Sequence, residues 1–169
     1  TKNRVRCRYW TVHWQTWNDN TLHIANRFQK PILLSVGYSA CHWCHVMAKE
    51  SFEDIETANL MNDLFINIKV DKEERPDVDA IYQAALRALG EQPGWPLTMI
   101  LTPEIEPYAG GTYFPPEPNQ GLPSFKKFLK TSASIFYETP DQAKSKGAGL
   151  MSEILEKKSK LRNHCEKNE

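Results

Sequence analysis

One short stretch constrains the fold of this chain more than any other. Residues 32–36 are almost entirely apolar and end at Gly37, which is typical of a strand buried on both faces. Cys41 and Cys44 follow after a short turn, and their spacing of three residues places both sulfur atoms on one face of a helix start. The sequence therefore predicts a buried strand, a turn, and a helix whose first turn carries two cysteines.

Helical and strand patterns follow one another along the rest of the chain. Helical spacing predicts helices over 18–30, 54–64, 77–89, 124–137 and 141–169, and apolar or β-branched runs predict strands over 65–70, 97–102 and 108–114. Gly110 and Gly111 inside the last strand indicate a bulge or a close backbone approach. A strand–helix–strand unit followed by two strands predicts an α/β fold, with a central mixed β-sheet flanked by helices on both faces.

Charge and hydropathy argue against several classes of function. The 169 residues include 21 Lys and Arg and 21 Asp and Glu, so the formal net charge is zero, unlike that of most nucleic-acid binders. Apolar stretches fall far short of the ~20 residues that a membrane-spanning helix needs, and the first residues lack the apolar core of a signal peptide. We therefore expect no nucleic-acid or membrane partner and a cytoplasmic location. Cys7 and Cys165, near the two ends, receive no role.

The pair Cys41-x-x-Cys44 carries the chemistry that the sequence predicts. In a reducing compartment such a pair indicates a redox-active or a metal-binding site. Unpaired amides and the helix dipole at a helix N-terminus favour a thiolate, and they lower a cysteine pKa to between about 3.5 and 7.5. We expect Cys41 to be the nucleophile and Cys44, less exposed, to resolve the mixed disulfide. His42 and His45 are then candidates for tuning the two sulfur atoms.

Three other uses of the pair remain open on these residues. Cys41-x-x-Cys44-His45 matches the attachment pattern of c-type haem, which also needs an export route and a pocket for haem. A zinc site needs two further ligands at compatible spacing, and no second Cys-x-x-Cys or close His pair is present in the sequence. Buried cysteines also serve as small apolar side chains without redox chemistry.

Several motifs occur in a fixed order along the chain, in residues 31–47, 50–54, 70–77, 94–97 and 110–116. Together they cover about residues 12–130 and resemble the thioredoxin-like N-terminal domain of the spermatogenesis-associated protein 20 family. The resemblance implies a thioredoxin-like fold, with protein or small-molecule thiols and disulfides as partners and neither a cofactor nor a metal. Members of that family usually continue into a large all-helical toroid, so a helical domain of the same full-length chain is a second expected partner.

The resemblance also implies a substrate-binding surface beside the cysteine pair. Trp95-Pro96 matches the place where thioredoxin folds carry a cis-proline that faces the two cysteines. Phe114 is expected on the rim of the same groove, and Trp43, between the cysteines, is expected to be exposed and to contact a partner. The expected substrate-binding residues are therefore Trp43, Trp95, Pro96 and Phe114.

Ser35 departs from the thioredoxin pattern, and two tryptophans near the start of the chain belong to the pattern of the family. Ser35 stands where thioredoxin has a buried aspartate beneath the disulfide, which leaves His45 or a water molecule to accept the proton of the resolving cysteine. Trp14 and Trp17 match the family, and we expect them to pack against the start of the first helix.

The predicted organisation has three parts: an N-terminal extension over 1–11, a thioredoxin-like domain over 12–138, and a C-terminal helix and linker over 139–169 that leads to the helical domain. The predicted function is thiol–disulfide exchange by Cys41 and Cys44. The alternative is a binding or regulatory module of a larger protein that performs no catalysis.

Overall fold

A computed structural model describes residues 11–166 of the chain. The predicted N-terminal extension, apart from residue 11, lies outside the described residues. The described residues form strands and helices in this order: β1 Trp14–Gln15, α1 Asp19–Arg27, β2 Ile32–Gly37, α2 His42–Met47, a π-helical segment Ala48–Phe52, α3 Ile55–Leu64, β3 Ile66–Asp71, α4 Pro76–Ala88, β4 Leu97–Leu101, β5 Pro107–Gly111, α5 Phe125–Glu138 and α6 Pro140–Glu166.

Short polar side chains and glycine set several helix ends, as their preferences predict. Asn18, Asp54 and Ser124 each accept a hydrogen bond from the backbone N–H three residues ahead, at the starts of α1, α3 and α5. Past the end of α4, Gly90 has a φ of 86°, a left-handed conformation that glycine adopts without strain. The predicted bounds of α4 and α5 are therefore confirmed to within a residue or two.

The strands form one mixed sheet in the order β1-β3-β2-β4-β5. β3 pairs in parallel with β1 and β2, whereas β4 pairs antiparallel with β2 and β5. Helices cover both faces, and each face has its own apolar core. The predicted α/β fold is confirmed. The π-helical segment separates α2 from α3, and the register shift between β4 and β5 lies at Ile100 and Leu101 instead of at Gly110 and Gly111.

Two elements differ from the sequence-based prediction. Trp14 lies in the two-residue strand β1, and its ring packs edge-on against Phe52 at 5.0 Å instead of against the start of α1. Trp17 packs against Tyr82 of α4, with ring centroids 5.7 Å apart. The C-terminal helix predicted within 139–169 is α6, and it carries the buried residues Ala143 and Ile154, so its first part packs on the sheet domain.

Candidate active site

Cys41 and Cys44 lie where a strand passes into a helix. Cys41 is the N-cap of α2, and its Sγ accepts the backbone N–H of Cys44 at 3.2 Å. The two cysteines form a disulfide with Cα atoms 5.3 Å apart, inside the range that unstrained bridges occupy. The predicted position of the pair, at the N-terminus of a helix that follows a buried strand, is confirmed.

The relative exposure of the two cysteines was predicted wrongly. Cys41 is 3% exposed and Cys44 is 8% exposed, so the cysteine predicted to resolve the mixed disulfide is not the more buried one. Cys44 lines an open cavity of about 260 Å³. Gly37 lines the same cavity, and a Cβ on it would lie only 2.8 Å from Cys44 Sγ, so glycine at the end of β2 leaves room for the sulfur.

The two histidines flank the disulfide on the surface of α2. Both are exposed. The His42 ring lies edge-on to Trp43 at 5.6 Å, and His45 Nε2 lies 2.7 Å from the carbonyl oxygen of Ser39. One ring nitrogen of His45 is therefore engaged by the backbone of the turn. Tuning of the sulfur atoms by these histidines stays a prediction.

An exposed tryptophan and a half-buried tyrosine form an aromatic pair next to the disulfide. Trp43 is 53% exposed, as expected, and its ring packs against Tyr113 at 5.0 Å. The Tyr113 hydroxyl donates a hydrogen bond to Glu50 Oε2 at 2.5 Å. Burial and this hydrogen bond raise the pKa of Tyr113 to about 12. The sequence analysis did not select Tyr113 or Glu50, which lie 63 residues apart and meet only through the fold.

The loop before β4 brings a second tryptophan and a proline to the site. The Trp95–Pro96 peptide bond is cis, as the resemblance implies, and the structure shows that Pro96 is buried. Trp95 Nε1 donates to Asp79 Oδ1 at 2.9 Å, and the Gln83 side chain makes two hydrogen bonds with the backbone of Gly94, at 2.9 and 3.0 Å. Two side chains of α4 therefore hold this loop in place.

A lysine joins this loop to the turn before α2. The Tyr38 and Trp95 rings meet edge-on at 6.0 Å. Lys72 Nζ lies 4.4 Å from the Tyr38 centroid and 4.1 Å from the Trp95 centroid, distances at which a cation is attracted to an aromatic face. The two loops on this side of the disulfide are thus held together by a cation and two rings.

The expected position of Phe114 on the rim of the groove is wrong. Phe114 is 5% exposed, and its ring stacks on Phe128 of α5 at 4.1 Å. A Cβ on Gly111 would lie 2.6 Å from the Phe114 ring, so the glycine leaves space for the ring to turn inward. Phe114 belongs to the core, where burial of its apolar ring is more favourable than exposure.

Ser35 lies beneath the disulfide helix and is paired with a lysine. Ser35 is 1% exposed, and its Oγ accepts a hydrogen bond from Lys69 Nζ at 3.0 Å. Lys69 Nζ also lies 5.1 Å from the Trp14 ring centroid and 4.9 Å from that of Phe52. The Lys69 residue as a whole is exposed, because it lines the open cavity beside Cys44.

The surroundings of Nζ, more than those of the whole residue, determine the protonation of Lys69. Removal of water from Nζ by burial beside the Trp14 and Phe52 rings disfavours the ammonium form. Desolvation therefore lowers the pKa of Lys69 to about 8. The sequence analysis did not select Lys69.

Within residues 11–166, no cluster of three or more His, Cys, Asp or Glu side chains is arranged to hold a metal ion. Across the same residues, no helix is long and apolar enough to cross a membrane.

The strand order, the disulfide at the first turn of α2 and the neighbouring proline loop define a thioredoxin-like domain. The chain belongs to the family Thioredox_DsbH, described as "Protein of unknown function, DUF255", whose family model matches residues 6–155. It is 46% identical to human spermatogenesis-associated protein 20 over 121 residues, which are 72% of this chain and 15% of that protein. An uncharacterised protein of Caenorhabditis elegans is also 46% identical, over 83% of this chain and 19% of its own length.

The family resemblance found in the sequence is confirmed by these relatives. The chain spans less than a fifth of the length of the curated relatives it matches. Among solved structures, a DsbH oxidoreductase superposes with a TM-score of 0.58 at 15% identity, over 74% of this chain and 86% of that one. A thioredoxin from Thermus thermophilus superposes with a TM-score of 0.50 at 16% identity, over 76% and 89% of the two chains. These two structures share the fold of this chain.

Proposed function

We propose that this domain performs thiol–disulfide exchange through Cys41 and Cys44. The observation that carries the proposal is the disulfide between the N-cap and the first turn of α2, where Cys41 Sγ accepts a backbone N–H. The amide that bonds this sulfur also stabilises a thiolate in the reduced protein.

The exchange proceeds in two steps in the reducing direction. The Cys41 thiolate attacks one sulfur of a substrate disulfide, forms a mixed disulfide, and releases the other half of the substrate as a thiolate. The Cys44 thiol then loses its proton and attacks Cys41 Sγ. The Cys41–Cys44 bond forms and the second substrate thiolate leaves, so two electrons have passed from the protein to the substrate. The oxidising direction is the same sequence reversed.

The substrate surface that we propose consists of Trp43, Trp95 and Pro96. Trp43 offers an exposed ring beside the disulfide, and Trp95 is held by Asp79 and Lys72 on the other loop. Phe114 is left out because its ring is buried against α5. The proposed substrates are protein or small-molecule thiols and disulfides. The proposed location is the cytoplasm. Fractionation of cells that express the full-length protein tests this location.

The deciding experiment is a redox titration in a Cys7→Ser/Cys165→Ser background, where alkylation reports only the pair. Equilibration with a glutathione series is expected to give a reversible two-electron couple between about −120 and −270 mV. Cys41→Ser is expected to abolish turnover of a disulfide substrate, and Cys44→Ser to trap the mixed disulfide at Cys41. Exchange by the Cys41→Ser protein at the parent rate would refute the proposal.

One observation favours a second candidate, a binding module without catalysis. More than half of Trp43 is exposed, and a large exposed ring is a frequent anchor in protein interfaces. The partner in that case is a helical domain of the full-length chain or another protein. Binding that survives replacement of both cysteines by serine, but not Trp43→Ala, would favour this candidate over exchange.

A further inference from the structure

A row of polar side chains crosses the sheet directly beneath α2. Lys69 of β3 and Thr98 of β4 are the cross-strand partners of Ser35 in β2. Because cross-strand partners point to the same side of a sheet, the three side chains share one face. Gly37 shares that face, two residues further along β2, and it is the residue against which Cys44 Sγ packs.

The cavity beside Cys44 connects this row to solvent. Lys69 and Cys44 both line it, and its volume of about 260 Å³ is large enough for several water molecules. Lys69 thus lines the open cavity and is bonded to a buried hydroxyl, and its partner Ser35 lies two residues from Gly37, against which Cys44 Sγ packs. An ionisable group that shares a cavity with Cys44 is suited to proton transfer through water in that cavity.

Three other ionisable side chains line the same cavity: Tyr38, His45 and Asp71. One ring nitrogen of His45 is engaged by the Ser39 carbonyl. Asp71 is the cross-strand partner of Gly37, and one of its carboxylate oxygens accepts the backbone N–H of Glu73. The remaining elements around Nζ contribute the rings of Trp14 and Phe52, which do not titrate.

We infer that Lys69 is the residue that exchanges the proton of Cys44 during thiol–disulfide exchange. The inference rests on the proposed function, and it replaces the earlier expectation that His45 or a water molecule accepts this proton. When a thiolate reductant attacks Cys41 Sγ, the disulfide breaks and its electron pair goes to Cys44 Sγ. The ammonium of Lys69 gives a proton to that sulfur and recovers one from solvent. In the opposite direction the neutral amine of Lys69 takes the proton of the Cys44 thiol before Cys44 attacks.

The pKa of Lys69 suits proton transfer both to the Cys44 thiolate and from the Cys44 thiol. Desolvation lowers the pKa of Lys69 to about 8, so the ammonium form dominates at neutral pH while a usable fraction of amine remains. A proton-transfer group works best when its pKa lies near the working pH. An ordinary surface lysine, with a pKa of about 10.4, holds its proton too tightly for this role.

The test is a single-turnover reaction of the reduced Cys7→Ser/Cys165→Ser protein with 5,5′-dithiobis(2-nitrobenzoate), a chromophoric disulfide, between pH 6 and 10. The first release of chromophore reports attack by Cys41, and the second reports attack by Cys44. For the parent we expect the rate of the second release to rise with pH around a midpoint near 8. In Lys69→Met we expect the second release to slow by at least about tenfold at pH 7, since general-base help is typically worth 10²–10⁴-fold, and the first to change by less than about twofold.

Three further variants make the result decisive. Lys69→Arg keeps the positive charge but does not titrate in this range, so its second release is also expected to be slow. Lys130→Met, an exposed lysine of α5, is the control and is expected to behave like the parent. Ser35→Ala removes the hydrogen-bond acceptor of the Lys69 ammonium, so the pH midpoint of the second release is expected to fall. This variant tests the role of Lys69 even if Lys69→Met fails to fold. Circular dichroism checks the fold of each variant.

The possible failures are distinguishable. A parent protein that shows no first release contradicts the proposed function itself. A normal first release combined with an unchanged second rate and midpoint in Lys69→Met overturns the role of Lys69 alone. Parent-like kinetics in Lys69→Arg overturn it as well, because charge without proton exchange would then suffice. An unchanged midpoint in Ser35→Ala has the same meaning.

Discussion

The two faces of the sheet are built from the same strands but with different chemistry. On the face covered by α1, α4 and α6, the inward residues are uniformly apolar: Ile32, Leu34, Val36, Ile68, Val70, Leu97, Met99 and Leu101. On the face covered by α2, α3 and α5, Leu33 and Ile100 are apolar, but the next row is polar and contains Ser35, Lys69 and Thr98. The Leu33 row also contains the buried polar residue Asn67 of β3, and the row beneath the disulfide helix is polar in all three strands.

This contrast separates the part of the fold that holds the domain together from the part that serves the cysteines. A polar row in the middle of a sheet loses hydrophobic stabilisation and requires a hydrogen-bond partner for every member. Ser35 has Lys69 as its partner, and Thr98 Oγ1 donates to the Thr112 carbonyl at 3.0 Å. Both faces have an apolar core, and only one of them also places ionisable chemistry beside Cys44.

The largest expected effect comes from a truncation on the apolar face. Leu34 is fully buried, so Leu34→Ala is expected to lower the free energy of unfolding by about 2–5 kcal/mol through lost burial and a cavity. Ser35, the next residue along β2, points to the polar face and provides the matched variant. Ser35→Ala removes one hydrogen bond, so it is expected to lower the free energy of unfolding by about 1 kcal/mol. Urea denaturation measures both. Equal losses in the two variants would mean that the two faces do not differ in this way.

The next largest effect is expected at the contact between β2 and the disulfide. Gly37→Ala would place a Cβ 2.8 Å from Cys44 Sγ, and we expect a loss of about 1–3 kcal/mol in the oxidised protein together with slower formation of the disulfide. Gly149→Ala is the control, because nothing lies within 4 Å of its added Cβ and alanine favours a helix by about 0.5–1 kcal/mol. Urea denaturation and timed alkylation follow the two properties. A Gly37→Ala protein that oxidises at the parent rate would contradict the contact.

A smaller effect is expected in the pH dependence of stability. The pKa of Lys69 is about 8 in the folded protein and about 10.4 in an unfolded chain, so between these values the unfolded state binds more protons. The free energy of unfolding of the parent is therefore expected to rise, relative to that of Lys69→Met, as the pH increases from 8 to 10.5. Denaturation of both proteins across this range measures the difference. A constant difference would mean that Nζ is as well hydrated in the fold as in the unfolded chain.

Much of the apolar face was predictable from the sequence, and the polar row was not. The run over 32–36 and the helical spacing of α4 carry their own periodicity, and Gly37 and Gly90 mark their ends. Lys69 alternates with apolar residues in its strand, and such a position is solvent-facing in many sheets. Only the register that pairs Lys69 with Ser35 shows that its amine reaches beneath α2, and register depends on long-range pairing.

The remaining differences have the same origin in tertiary contacts. β1 has two residues, too few for any periodic pattern, and it exists because Trp14 pairs with Asn67 of β3. Phe114 was expected at the surface because the motif placed it next to the site. The ring turns inward because Gly111 leaves room and Phe128 offers a stacking partner. The motif therefore predicted which part of the fold contains Phe114, but it did not predict that the ring points into the core.

The smallest effect on stability is expected at the aromatic pair next to the disulfide, and there the contrast is with Phe114. Trp43 is 53% exposed, so Trp43→Ala is expected to change the free energy of unfolding by less than about 1 kcal/mol, whereas Phe114→Ala removes a buried ring worth about 3–5 kcal/mol. The effect on exchange is expected to be the reverse. If Trp43 contacts the substrate, its loss slows reduction of a peptide disulfide severalfold and leaves the reaction with a small disulfide unchanged. Folded Phe114→Ala, assayed at low temperature, then reacts with both at the parent rate. Equal rates for the two disulfides in Trp43→Ala would remove Trp43 from the substrate surface and leave its ring only a packing role beside Tyr113.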